Sequence, residues 1–173
     1  MGTLNTKATV SADIVFQQID TDTNSVDNRQ GSLAAKFTMS SGTGINEINA
    51  VYNVQNHVLS GAGDTLNIDF SSATQPIVKS TFSIPFTYLK ALSIYNQQTG
   101  LQESVFVRAT GSNAFTEPFN GNSGNYKINP KGSFVFSDSH DGAIVDSSNK
   151  NLQIVNNHAS TTTFTLVAVG VSG

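Results

Sequence analysis

A short acidic segment carries the spacing most typical of a metal-binding loop. Asp20, Asp22 and Asn24 occupy alternate positions, and oxygen ligands spaced in this way can converge on a calcium ion. The pattern then departs from a calcium loop, because Ser25 stands where the turn needs glycine and the twelfth position lacks a bidentate glutamate. The segment Asp20–Asp27 therefore favours a polar turn between two strands, with a calcium site as the alternative.

The segment Ser137–Asp141 places serine, histidine and aspartate close together in the sequence. A catalytic triad instead takes its members from separate segments and sets the serine on a strained elbow. The G-x-S-x-G pattern of that elbow is absent from the chain. We therefore expect this segment to be a solvated loop between strands.

The histidines and glutamates are too scattered for their spacing to define a site. No two histidines show the H-x-H or H-x-x-x-H spacing of zinc ligands, and no catalytic signature surrounds a glutamate. Paired carboxylates for glycoside hydrolysis would have to be brought within about 5 to 9.5 Å of each other by the fold. The sequence thus assigns no catalytic, cofactor-binding or metal-binding residue, and we expect no enzymatic activity. The residues in question are His57, His140, His158, Glu47, Glu103 and Glu117.

Five aromatic residues near polar loops could form a platform on which a sugar ring stacks. Aromatic side chains dominate protein cores and subunit interfaces, so those two environments are favoured for most of them. Such a platform beside the acidic segment would indicate a lectin-like module. The five are Tyr88, Tyr95, Phe115, Phe119 and Tyr126.

The elements that must position these residues show a period of two. Apolar and polar residues alternate over many short runs, and Gly- and Asn-rich turns separate the runs. This pattern predicts an all-β protein, an antiparallel β-sandwich of jelly-roll type with 8–10 strands. The run Thr161–Val169 is apolar on both faces, which predicts a strand between layers or between subunits. The clearest alternating runs are Val10–Phe16, Leu33–Met39, Ile48–Val54 and Leu66–Phe70.

Composition narrows the class of protein further. Only 12% of the 173 residues are charged, and a chain with 3 Glu does not have the composition of a helical bundle. The 9 Lys and Arg residues are not clustered, which argues against a protein that binds nucleic acid by neutralising its phosphates. No apolar run is long enough for a transmembrane helix. The even composition predicts a single domain over residues 8–173, preceded by an N-terminal arm of residues 1–7 that could pair with a neighbouring subunit.

The order of strands and turns resembles that of small all-β structural proteins of tailed bacteriophages. The similarity covers roughly residues 40–170 and is architectural, since it includes no catalytic signature. One departure lies at Lys131, where the similar turn often carries two glycines. The matching segments are Gly61–Phe70, Leu89–Asn96, Gly111–Phe115, Tyr126–Phe136, Leu152–Asn157 and Thr163–Gly170.

The resemblance implies a non-enzymatic role in the virion, as a capsid decoration protein or a vertex or head-fibre component. It implies a homo-oligomer, with a trimer expected, that binds the major capsid protein or another virion protein. Symmetric assembly would also cover the exposed strand edges of a sandwich. We expect no cofactor, no nucleic acid and no membrane among its partners. The alternative is a carbohydrate-binding module at a fibre or tail tip that attaches to a host glycan.

Overall fold

The computed structural model describes residues 8–22, 25–77, 80–100, 103–121, 124–138 and 140–173. These residues form fourteen β-strands and one short 3-10 turn at Glu117–Phe119. The predicted all-β class is confirmed, and the strands outside the sandwich described below bring the total above the 8–10 expected for the sandwich itself. The strands are β1 (Ala8–Asp22), β2 (Ser25–Ser41), β3 (Glu47–Ile48), β4 (Ala50–Leu59), β5 (Thr65–Asp69), β6 (Ala73–Ile77), β7 (Ser80–Ile84), β8 (Phe86–Asn96), β9 (Val105–Ala109), β10 (Gly124–Ile128), β11 (Ser133–Ser137), β12 (Ala143–Ile144), β13 (Asn151–Asn156) and β14 (Thr162–Ser172).

Eight of these strands form the sandwich. One sheet has the order β11-β8-β14-β4, with β12 also paired to β8, and the other has the order β10-β9-β13-β5. All pairings within these two sheets are antiparallel. When the eight strands are numbered along the chain, the two orders read 6-3-8-1 and 5-4-7-2, which is the strand order of a jelly roll.

The core lies between the two sheets. Every second residue of each strand points into it. Leu92 of β8 and Leu166 of β14 are fully buried there. Phe70, Phe86 and Phe115 meet edge to face in the same core, and the ring centroids of Phe70 and Phe115 are 5.2 Å apart. Edge-to-face packing of this kind adds stability beyond the burial of apolar area.

The strand β14 confirms the prediction made from its two apolar faces. It lies in the middle of its sheet, between β8 and β4. Phe164 and Ala168 on one face are fully buried in the core, while Val169 on the other face is also buried. A second layer must therefore cover the outer side of this sheet.

That layer is the base of a long hairpin formed by β1 and β2, which we call the arm. The arm is a regular antiparallel ladder that runs from the pair Ala8 and Met39 to the pair Asp22 and Ser25. Near its base, β2 also pairs in parallel with β3. We call the sheet beneath it, β11-β8-β14-β4, the arm-side sheet. The N-terminal segment of residues 1–7, which the sequence analysis predicted to be an extension and which is separate from this hairpin, lies outside the described residues.

Candidate functional site

The segment Ser137–Asp141 forms a loop organised by hydrogen bonds to Asp138. The Asp138 carboxylate accepts from the backbone N–H groups of His140 at 3.1 Å and Asp141 at 3.3 Å. His140 Nδ1 lies 2.7 Å from Asp141 Oδ1, and both of these side chains are exposed to solvent. Ser139 lies outside the described residues. Because His140 is paired with its neighbouring aspartate at the surface, the described residues of this loop do not converge as a triad would, and their exposure agrees with a solvated loop.

Lys90 is buried beneath this loop and is hydrogen-bonded to it. The sequence analysis did not predict this contact. The Lys90 side chain is only 3% exposed, and Nζ donates a hydrogen bond of 2.5 Å to the carbonyl oxygen of His140. Gly142 adopts a φ of +77°, and a Cβ there would lie 2.9 Å from the Lys90 stem. A lysine inside an alternating strand gives no sign in sequence that it is buried, since most lysines are exposed.

The three histidines do not converge within the described part of the chain. The ring of His57 packs on Phe164 with centroids 5.3 Å apart, and His158 Nδ1 accepts a hydrogen bond from the Ser160 N–H. Two glutamates act in turns instead of forming a carboxylate pair. Glu47 accepts from the Gly44 N–H at 2.8 Å, and Glu103 accepts from the Gly100 N–H at 3.1 Å. Among the residues that the structure describes, no three His, Asp or Glu side chains lie close enough together to hold a metal ion.

The acidic segment Asp20–Asp27 lies at the tip of the arm. Residues 20–22 and 25–27 are extended and paired, with Asp20 opposite Asp27 and Asp22 opposite Ser25. An EF-hand-like calcium loop coils around its ion, whereas these residues continue a straight ladder, so the sequence pattern does not correspond to such a loop. The favoured polar connection between two strands agrees with this backbone.

The five aromatic residues do not form one flat platform. Phe115 is fully buried, and Phe119 stacks on Phe134 at 5.8 Å at the margin of the core. Tyr88 and Tyr95 are partly exposed on β8 of the arm-side sheet, whereas Tyr126 lies on β10 of the opposite sheet. Tyr126 also packs on Phe134 at 5.2 Å. The burial of Phe115 and the packing of Phe119 agree with the favoured core positions, and the five residues are not gathered on one face.

Two aspartates with a lowered pKa, Asp64 and Asp146, belong to turns. Two hydrogen bonds from Ser60, one from its N–H and one from its hydroxyl, lower the pKa of Asp64. The hydroxyl and the N–H of Ser148 lower the pKa of Asp146 in the same way. These carboxylates are explained by local turn structure, so their shifted pKa values do not mark a catalytic group.

The most distinctive surface is the outer face of the arm-side sheet. Val169 and Ala91 are buried there beneath the base of the arm, together with the fully buried Met39 and Ile48. Val10 of β1 packs against the same cluster. A sheet face of this kind is normally polar where it meets water, so its apolar character indicates a contact surface.

Beside the base of the arm this face opens into a groove, which we call the arm groove. The groove has a volume of about 320 Å³ and runs between the arm base and β11. Val135 on β11 is 54% exposed and forms its outer wall. No motif pointed to these residues, and the only signal in the sequence was the second apolar face of β14. The lining residues are Thr9, Val10, Ala91, Leu92, Ser93, Val135, Val167 and Val169.

Comparison with known proteins adds no information on this surface. No protein-family model and no curated protein matches the chain. Over the described residues, no helix is long and apolar enough to cross a membrane.

Proposed function

We propose that this protein is a non-enzymatic structural component of a bacteriophage virion that works by contact with copies of itself and with other virion proteins. The observation that carries the proposal is the apolar outer face of the arm-side sheet, which is covered at its centre by the arm and left open at the arm groove. Val135 at the rim of the groove is 54% exposed, as expected of an apolar side chain that becomes buried when a partner binds.

The strand order supports the same role. Jelly rolls are the building units of many viral capsids, although the fold alone does not specify a function. The architectural resemblance to small phage structural proteins adds the context of a tailed phage. A capsid decoration protein or a vertex or head-fibre component, assembled as a trimer on the major capsid protein, fits both observations.

A carbohydrate-binding module remains the rival class, because lectins share this fold. It needs exposed aromatic rings on one face, and the exposed Tyr88 and Tyr126 lie on different sheets. The exposed ring of Tyr126 does pack on Phe134 at 5.2 Å, and that small cluster is the feature that a sugar could contact. Binding of the purified protein to a glycan array would favour this class over the structural role.

Two measurements test the proposal. Size-exclusion chromatography with light scattering at micromolar concentration should give three times the chain mass of 18.3 kDa. An antibody raised against the purified chain should detect it in gradient-purified phage particles from the source culture, in the same fractions as the major capsid protein. A monomer together with absence from the particles would contradict the proposal.

A further inference from the structure

We propose that the arm of one copy lies in the arm groove of the next copy, so that exchanged arms hold the assembly together. This inference rests on the proposed function, because it names the element that makes the contact between copies. The occupant of the groove is therefore a second copy of this chain.

The first support is that the outer face of the arm-side sheet already binds the base of the arm of its own chain. Val10 and Met39 at the base of the arm pack against Ala91, Val169 and Ile48. The arm groove begins directly beside that contact, and Val10 lines both. A second arm placed in the groove would extend an existing apolar contact and would use the same chemistry.

The second support is that the apolar positions continue along the arm. The register pairs Val10 with Phe37, Ala12 with Ala35 and Ile14 with Leu33. Residues two apart in a strand lie on the same face, so these apolar positions share one face of the ladder. The face that packs on the sheet at the base of the arm therefore continues for several further pairs.

The third support is the length of the arm. Val10 packs over the middle of β8, and the thirteen residues from Val10 to Asp22 span about 40 Å in an extended strand. From Ala91 to either end of β8 is five residues, or about 17 Å. A regular ladder of this length thus reaches past its own sheet, and a two-stranded ribbon is marginally stable unless something covers it.

The fourth support is the open edge of β1. Within the described residues β1 pairs with β2 alone, and Thr9 and Val10 at its base line the groove. A neighbouring arm in the groove could pair with this edge while its apolar face covers Val135 and Val167. An edge strand without a partner otherwise invites uncontrolled association.

The chain contains no cysteine, so single-cysteine variants give an unambiguous test. Phe16→Cys and Val135→Cys proteins, mixed, refolded together and oxidised, should form a disulfide-linked pair that joins one variant to the other. Val58→Cys is the matched control, because Val58 is also 54% exposed but lies on β4 at the opposite edge of the sheet. Equal or greater linkage of Phe16→Cys to Val58→Cys would overturn the inference.

A charge in the groove gives an independent readout. Val135→Lys should shift light scattering to the monomer mass with an unchanged circular dichroism spectrum, whereas Val58→Lys should remain assembled. If Val135→Lys also remains assembled, the arm-exchange inference fails while the proposed self-assembly stands. If the unmodified protein is a monomer, the proposed self-assembly itself fails.

Discussion

At the scale of single residues, buried asparagines hold the ends of strands in place. Asn96 is fully buried at the end of β8, and its Nδ2 donates to the carbonyl oxygens of Glu103 at 2.8 Å and Ile128 at 3.1 Å. Its Oδ1 accepts from the Gln98 N–H at 3.1 Å. One amide side chain thereby satisfies backbone groups from three separate segments, which a purely apolar residue could not do.

We therefore expect Asn96→Ala to lower the free energy of unfolding by about 3 kcal/mol, since it leaves several buried polar groups without partners. Urea unfolding followed by circular dichroism measures this. Asn125→Ala, at an exposed position on β10, should change the value by less than about 0.5 kcal/mol. Equal effects of the two substitutions would contradict the assigned role of Asn96.

The turn aspartates make stability depend on pH. Burial by itself would raise the pKa of Asp69, but hydrogen bonds from Lys150 and Ser71 and the charge of Lys150 outweigh it, so the pKa is lowered. Asp69 Oδ2 lies 2.8 Å from Lys150 Nζ, and Oδ1 accepts from the Ser71 hydroxyl at 2.6 Å. A carboxyl group whose folded-state pKa is depressed stabilises the protein above its unfolded-state value and loses that contribution as the pH falls.

We expect the urea midpoint to be steady near neutrality and to fall as the pH drops below about 4, the unfolded-state pKa of aspartate. Asp69→Asn should lower the midpoint at pH 7 and flatten the acid decline. An acid decline of the same steepness in Asp69→Asn would show that this carboxyl is not responsible.

At the scale of elements, the contact between β8 and β14 depends on a glycine. Gly170 is buried where the register between these strands shifts, and a Cβ there would collide with the Tyr88 carbonyl oxygen. Backbone atoms cannot move aside as a flexible side chain could. This position therefore admits no side chain without separating the two central strands of the arm-side sheet.

Gly170→Ala is expected to cost about 3 kcal/mol, at the upper end of the range for overpacking in a core. Thermal unfolding measures the effect as a lowered midpoint temperature. Gly61→Ala is the matched control, because the nearest atom to its Cβ would be the Ala159 carbonyl oxygen at 3.8 Å. A midpoint for Gly170→Ala equal to that of Gly61→Ala would refute the close approach.

The strands were the most predictable part of the fold. The alternating runs Leu33–Met39 and Leu66–Phe70 fall in β2 and at β5, because burial on one face imposes a period of two. Ala73–Ile77 was missed, since Pro76 and the polar residues around it break the alternation. The pairing of strands distant in sequence depends on three-dimensional packing, and no local pattern encodes it.

The candidate surface was much less predictable than the strands. The full burial of Phe115 agrees with the core position favoured for most of the aromatic residues, but a loop has no periodicity that could single this residue out from the other four. Val135 alternates like any strand residue, so nothing local distinguishes an exposed valine from a buried one. The groove forms because the base of the arm packs on the sheet, and no local sequence pattern predicts that contact.

At the scale of the whole molecule, the low charge predicts how the proposed oligomer responds to salt. Only 12% of residues are charged, and apolar side chains form most of the arm groove. We expect the oligomer to persist when sodium chloride is raised from about 0.1 M to about 1 M, although the screening length falls from about 10 Å to about 3 Å. Light scattering across this range measures the subunit number, and dissociation at high salt would indicate contacts made by charges.

The central place of β14 has a consequence for how the protein is made. It is the last of the eight sandwich strands to leave the ribosome, yet β4 and β8 become neighbours only through it. Until residues 162–172 emerge, the pair β11-β8 and the single strand β4 have unpaired edges. Pairing of such distant segments is slow, so nascent chains should depend on chaperones or fold only after synthesis has passed this strand.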